Sequence, residues 1–178
     1  MEWIDVDPAD RSEIEVVSGQ PLAPVLVDDG RVVTDSTVIL RYLEELQPEP
    51  ALFPREPARR AETDVFLDWF NRVWKRPPNE IEAERAKPAP DQARIDALGQ
   101  ELTAALDLFE DLLDGREYLL GDFSVADCAA FPFLKYAKLR NPADDELFHR
   151  ILEDNLRLDG GHPRLAAWID RVYARPRG

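Results

Sequence analysis

The hydrophobic pattern of the chain changes its period once, at a stretch rich in proline, and this change constrains the fold most. Before about Pro54 the apolar residues occur in short runs typical of β-strands, whereas beyond it they recur at the spacing of α-helices. Four prolines between Gln47 and Pro57 exclude a continuous helix there. We therefore predict an α/β domain over residues 1–47, a linker over 48–60 and an all-helical domain over 61–178.

The first domain contains a strand–turn–strand–helix pattern. Residues 24–27 and 31–34 form two β-like runs, and Asp-Asp-Gly at 28–30 separates them. The Asp-Gly pair supplies the positive φ angles that a tight hairpin turn needs. Asp35 and Ser36 follow directly and begin an amphipathic helix. A further short strand is predicted over residues 3–6.

The two ends of this hairpin offer groups that could bind a small, peptide-like ligand. If the Ala23–Pro24 bond is cis, the N–H and C=O of Ala23 face outward and can pair with a ligand as an added strand would. The alternative is a trans proline that begins an edge strand. Ser36 could offer its hydroxyl and the N–H groups of the first helical turn to a carboxylate, or Asp35 or Ser36 could simply cap the helix.

The helical domain contains one short motif with a physical mechanism, Ser124-Val125-Ala126-Asp127. The spacing is that of a capping box in which the serine hydroxyl and the Asp127 carboxylate each accept a backbone N–H of the same helix end. Its role is structural, and its loss should cost about 1 kcal/mol or somewhat more.

Composition excludes several classes of function. The formal net charge is -14, which disfavours nucleic acid and anionic membranes as partners. A single cysteine, Cys128, allows no disulfide within the chain, and two histidines are too few for a histidine metal site, so we expect no metal. We place Cys128 inside a helix as a small buried side chain and His149 on a solvated helix face. The N-terminus lacks a signal peptide pattern, which favours a cytoplasmic location.

These motifs together resemble the glutathione transferases of the bacterial type. Four separated segments are similar to the family's proline loop, hairpin and third helix, to its exit into the linker, to its helical-domain signature and to its closing helix: residues 24–44, 52–54, 118–127 and 163–172. The resemblance implies a thioredoxin-like α/β N-terminal domain, incomplete in this sequence, followed by an all-α glutathione-transferase-type helical bundle, usually as a homodimer.

The resemblance also implies where glutathione, as co-substrate, would bind. Its cysteinyl part would pair with the backbone of Ala23 beside a cis Pro24. Its γ-glutamyl carboxylate would meet Ser36, and Asp35 would help to hold the ammonium group. Gln20 occupies the neighbourhood of the glycyl end.

The family pattern also has a first strand and helix before the segment that corresponds to residues 3–6, and these carry the Ser, Tyr or Cys that activates the thiol. We therefore expect no catalytic residue in this sequence, and we expect the natural protein to begin before Met1. The leading hypothesis is conjugation of the glutathione thiol to a hydrophobic electrophile. The alternative is a non-catalytic module of the same family that acts in protein interactions, so enzymatic activity stays open.

Overall fold

The structure is a computed structural model that describes residues 2, 4–7, 10–158 and 160–176. The chain divides into two compact units, Met1–Leu52 and Phe53–Gly178. The division falls inside the stretch that the sequence marks as a linker. A small two-stranded sheet with helices forms the first unit, and helices alone form the second, which is the thioredoxin-like plus all-α architecture of the resemblance.

The first unit contains two helices and one β-hairpin within its described residues: α1 (Ser12–Ser18), β1 (Val25–Asp28), β2 (Arg31–Thr34) and α2 (Ser36–Leu46). The strands are antiparallel, with Val25 opposite Thr34 and Asp28 opposite Arg31. The turn residues Asp29 and Gly30 have φ angles of 47° and 81°. Two successive positive φ angles match the twist of the strands, which explains why the Asp-Gly pair predicts the hairpin correctly.

The strand predicted over residues 3–6 is wrong for the part that can be tested. Ile4, Asp5 and Val6 are not in a strand, and Trp3 lies outside the described residues. A short β-like run becomes a strand only where a neighbour completes its hydrogen bonds, and the described sheet contains β1 and β2 alone. Among the described residues, regular structure begins instead with α1, which the sequence pattern does not reveal because Ile14 is its single buried residue.

Tyr42 anchors α2 to the hairpin. Its hydroxyl donates a hydrogen bond to Asp28 Oδ2 at 2.6 Å, and this bond raises the pKa of Tyr42. The Arg31 guanidinium lies 4.5 Å from the centre of the Tyr42 ring. Because Asp28 and Arg31 flank the turn, these contacts fix the orientation of α2 relative to both strands.

The second unit is helical throughout its regular structure. Its α-helices are α3 (Pro57–Trp69), α4 (Arg76–Arg85), α5 (Gln92–Leu112), α6 (Val125–Leu134), α7 (Leu147–Asn155) and α8 (Pro163–Tyr173). A π-helical turn, Phe70–Trp74, links α3 to α4, and a 3₁₀ turn, Lys135–Ala137, follows α6. None of the helices in the described ranges is long and apolar enough to cross a lipid bilayer.

A cluster of aromatic rings forms the centre of this bundle. Phe70 and Trp74 stack with their ring centres 4.7 Å apart, and Phe109 and Phe133 pack edge-on against them. Phe70 and Phe109 are fully buried. The π-helical turn places Phe70 and Trp74 on the same face, so both rings enter the core.

The Asp127 carboxylate joins three segments of the bundle. Its Oδ2 accepts the N–H of Ser124 at 2.9 Å, which together with the Ser124 side chain forms the capping box of α6. Its Oδ1 accepts the N–H of Leu119 at 3.1 Å and the indole N–H of Trp168 at 2.7 Å. Asp127 therefore ties the start of α6 to the preceding loop and to α8.

Candidate functional site

The corner before β1 exposes backbone groups. The Ala23–Pro24 peptide bond is cis, and both residues are exposed. Ala23 precedes the first pair of the β-ladder, and no hydrogen bond joins its N–H or C=O to another residue in the described part of the chain. These two groups can therefore pair with an extended peptide-like ligand.

The N-terminus of α2 forms the second part of the site. Asp35 is the N-cap residue, and its Oδ1 accepts the N–H groups of Thr37 at 2.8 Å and of Val38 at 3.1 Å. Ser36 is the first residue of the helix, and its half-buried side chain is not the cap. The hydroxyl and the positive end of the helix dipole can thus act together on an anion.

The backbone of Asp35 is in an unusual conformation. Its φ of 71° and ψ of 124° lie outside the regions that non-glycine residues favour. Such conformations cost about 1–3 kcal/mol and are concentrated at binding sites. Here the conformation turns the chain sharply from β2 into α2, and the two hydrogen bonds to the Asp35 carboxylate stabilise the turn.

The hairpin brings these two parts together. Val25 pairs with Thr34, so their Cα atoms lie about 4.5–5.5 Å apart, as in any antiparallel pair. Pro24 immediately precedes Val25, and Asp35 immediately follows Thr34. The exposed backbone of Ala23 and the N-terminus of α2 are therefore at the same end of one hairpin. Together they form a candidate binding site, called the seat below, in which Ala23 offers peptide groups and α2 offers an anion-binding group.

Gln20 is occupied within its own loop. Its side-chain amide donates to the C=O of Leu22 at 2.7 Å, and its Oε1 accepts the Leu22 N–H at 2.7 Å. A weaker contact joins the amide to the Ser18 hydroxyl at 3.4 Å. These bonds hold the loop that leads to Ala23, so the Gln20 side chain stabilises the conformation of that loop.

Cys128 is not placed to activate a thiol or to act as a nucleophile. It lies inside α6 as expected, but it is half-buried where the sequence predicts a buried side chain. Desolvation, and secondly the negative charge of Asp127, raise its pKa to about 11. The thiolate is the reactive form, so this environment disfavours reaction of the side chain.

His149 differs from the expectation of a solvated helix face. It lies in α7 with 29% of its side chain exposed, and its ring stacks on that of Tyr136 at 4.7 Å. Its Nδ1 contacts the Asp144 carboxylate at 2.9 Å. The spacing of Asp144, Glu146 and His149 at a helix start was the signal in the sequence that could have revealed this cluster.

Two family models match the chain in the order of its two units. The model described as "Glutathione S-transferase, N-terminal domain" matches residues 1–51, and the model described as "Glutathione S-transferase, C-terminal domain" matches residues 92–171. Together they match more than half of the chain.

Individual proteins give a consistent picture. The chain is 35% identical over 125 residues to FtsZ-localized protein A of Caulobacter vibrioides and 34% identical over 119 residues to the glutathione S-transferase GstB of Escherichia coli. Each match covers 64% of this chain, but only 54% and 57% of the two relatives, so the matched part is little more than half of their length.

A solved structure extends the similarity over most of the chain. The theta class glutathione S-transferase of Xanthomonas axonopodis pv. citri, solved with glutathione bound, superposes with a TM-score of 0.69 at 26% sequence identity. The match covers 95% of this chain and 76% of that one. With both domain models matched in order and the architecture shared, the chain belongs to the glutathione S-transferase family.

Proposed function

We propose that the protein binds glutathione at the end of the hairpin and conjugates the glutathione thiol to a hydrophobic electrophile. The observation that supports this most is the pairing of Val25 with Thr34, because it places Ala23–Pro24 beside Asp35–Ser36. Membership of the glutathione S-transferase family supports the choice of ligand. The co-substrate supplies the thiol, so the chemistry needs no metal.

Each group of the seat has a proposed role. The N–H and C=O of Ala23 pair with the backbone of the cysteinyl residue of glutathione, next to Pro24. The Ser36 hydroxyl and the first-turn N–H groups of α2 bind the γ-glutamyl carboxylate. Asp35 uses Oδ1 for capping, which leaves Oδ2 for the ammonium group. Gln20 lies on the side of the glycyl end and keeps the loop in place.

These residues bind and orient glutathione, and none of them lowers the pKa of its thiol. We therefore propose that they contribute affinity and orientation, and that the group that activates the thiol is a different residue.

Calorimetric titration of glutathione tests the binding proposal. Ser36→Ala removes a hydrogen bond to a charged group, worth about 1.5–3 kcal/mol, so the Kd should rise about tenfold or more. Ser12→Ala is the matched control, because Ser12 is an exposed serine at the first position of α1 in the same unit. Equal Kd values for the native chain and Ser36→Ala, or the absence of binding by the native chain, would contradict the proposal.

Two further parts of the proposal come from the family resemblance alone. We infer a homodimer and a cytoplasmic location. Light scattering coupled to size-exclusion chromatography tests the dimer, which should give twice the mass of the chain, and a monomer at micromolar concentration would contradict it.

A further inference from the structure

A histidine and two carboxylates form a compact cluster in the second unit, where the loop after the 3₁₀ turn enters α7. His149 Nδ1 lies 3.0 and 2.9 Å from the two carboxylate oxygens of Asp144 and 3.3 Å from Glu146 Oε2. One ligand atom from each of the three residues can be chosen so that all lie within 4.8 Å of one another. The cluster therefore offers one nitrogen and two oxygens to a common point.

Glu146 is available for such a role. It occupies the N-cap position of α7, yet its side chain makes no capping hydrogen bond to that helix. Its carboxylate instead points to His149, and 40% of the side chain is exposed.

One oxygen of a buried carboxylate on the same helix lacks a hydrogen-bond partner in the described part of the chain. Glu153 lies one helical turn after His149 on the same face of α7 and is only 6% exposed. Its Oε1 is buried and has no hydrogen-bond partner within the described part of the chain. Arg150 Nη1 lies 3.9 Å from the other carboxylate oxygen of Glu153, Oε2. A buried carboxylate oxygen without a donor is costly, which indicates that positive charge is needed here.

Tyr136 holds the cluster in place from the side. Its hydroxyl donates to Asp144 Oδ2 at 3.4 Å. Its ring stacks on that of His149, with the ring centres 4.7 Å apart.

The neighbouring cations only partly balance the negative charges of the cluster. Lys135 Nζ lies over the Tyr136 ring, 4.8 Å from its centre, and the Arg140 guanidinium donates to the backbone C=O of Glu153 at 2.9 Å. Neither contact is with a carboxylate of the cluster.

We propose that Asp144, Glu146 and His149 bind a divalent transition-metal ion of the zinc type, with the buried Glu153 carboxylate one helical turn further along α7. Imidazole nitrogen with carboxylate oxygens is a ligand set that zinc accepts, and three protein ligands leave a fourth position for water. With bonds of about 2.1 Å, tetrahedral ligands lie about 3.4 Å apart. The Nδ1 to Glu146 distance of 3.3 Å fits this spacing, and the Nδ1 to Asp144 distance of 2.9 Å needs to lengthen by about 0.5 Å.

This site revises the expectation drawn from composition. Two histidines are too few for a site made of histidines, but a mixed site needs only one. The competing explanation is a plain hydrogen bond, in which a proton on Nδ1 bridges the imidazole and the Asp144 carboxylate. The hydrogen bond fits the 2.9 Å distance as it stands, whereas a metal ion requires Nδ1 and the Asp144 oxygen to separate by about 0.5 Å, and metal titration distinguishes the two.

Calorimetry with zinc chloride, on the full chain freed of metal with a chelator, tests the proposal directly. We expect one ion per chain with a Kd in the micromolar range. His149→Gln and Asp144→Asn should each weaken binding at least about tenfold, as loss of a ligand does. Asp145→Asn is the matched control, because it removes the same charge from the adjacent, exposed aspartate. A Kd that the control changes as much as Asp144→Asn does would show diffuse binding to an acidic surface and overturn the proposal.

A measurement on the native chain keeps the test valid if a variant fails to fold. The chain has two histidines, His149 and His162, so their ring signals in a nitrogen–proton NMR spectrum can be assigned with one variant. Addition of one equivalent of zinc should shift the His149 ring signals and leave those of His162 in place. Unchanged His149 signals, or equal shifts at both rings, would overturn the proposal.

Discussion

Removal of the Asp127 carboxylate should destabilise the second unit far more than loss of a helix cap. Asp127→Ala leaves three buried donors without an acceptor, the N–H groups of Leu119 and Ser124 and the indole N–H of Trp168. Each orphaned buried donor costs about 1–3 kcal/mol. The side chain is itself fully buried, and burial raises the pKa of Asp127, so removing the charge recovers part of this cost.

The balance gives an expected loss of about 4 kcal/mol in the free energy of unfolding, a large share of the usual total of about 5–15 kcal/mol. In a thermal scan this corresponds to a fall in Tm of about 10 °C. Two further variants show how much each lost hydrogen bond costs on its own. Ser124→Ala removes only the capping side chain and should cost about 1 kcal/mol. Trp168→Phe removes one donor and leaves the carboxylate its other two.

The assay is urea denaturation followed by circular dichroism, which is insensitive to changes of the tryptophan itself. Asp127→Ala should shift the midpoint several times further than Ser124→Ala, with an unchanged slope. If the unfolding free energies of Asp127→Ala and Ser124→Ala agree within about 1 kcal/mol, Asp127 acts only as a cap, and its contacts to Leu119 and Trp168 contribute nothing to stability.

Three other predictions concern residues of the same unit. At pH 8 the thiol of Cys128 should react with iodoacetamide about a hundredfold more slowly in the folded than in the unfolded chain, because its pKa rises to about 11; equal rates would contradict this. Glu110 accepts the N–H groups of Arg164 and Leu165 at the start of α8, and although burial opposes it, these donors lower its pKa. Its contribution to stability is therefore fully present above pH 4.5, the ordinary pKa of a glutamate, and is lost as the pH falls through the lowered pKa. The difference in unfolding free energy between the native chain and Glu110→Gln should thus shrink in acid. A difference that stays constant with pH would refute the assignment. Gly99→Ala would place a Cβ 2.2 Å from Asn155 Oδ1, the end of a flexible side chain that can turn away by giving up its hydrogen bond to the Ile151 C=O. Because alanine also favours the helix by about 1 kcal/mol, the free energy of unfolding in urea should change by less than about 1 kcal/mol, and a larger loss would show that Asn155 cannot move.

The parts of the fold that the sequence predicts are those with a local cause. Asp29-Gly30 requires a hairpin, and the Asp35-Ser36 pair marks the start of α2. The long periodic runs predict helices in the second unit, but Pro77-Pro78, which the pattern marks as an interruption, lie in the first turn of α4, where proline is tolerated.

The parts that it does not predict depend on contacts distant in the sequence. A strand at residues 4–6 would need a pairing neighbour, and no local pattern reports whether one exists. α1 buries one residue, so it has no amphipathic period. His149 looks like a solvated helical residue until the Tyr136 ring and the Asp144 loop are placed beside it.

Part of the candidate site can be predicted from the sequence, because the hairpin that builds it has a local cause. The hairpin turn alone implies that residues just before β1 and just after β2 meet, which identifies Ala23–Pro24 and Asp35–Ser36 as neighbours. The sequence does not reveal which of Asp35 and Ser36 caps the helix, and it does not reveal that the Gln20 amide closes its own loop. Those details depend on side-chain orientation.

The seat at the end of the hairpin can be tested most directly by following the backbone amide signals of Ala23 and Ser36 while glutathione is added to the isotopically labelled chain. Both signals should shift together along one binding curve, while the amides of α8 stay in place. If glutathione at millimolar concentration leaves Ala23 and Ser36 unmoved, the hairpin end does not bind it, and the proposed function is wrong.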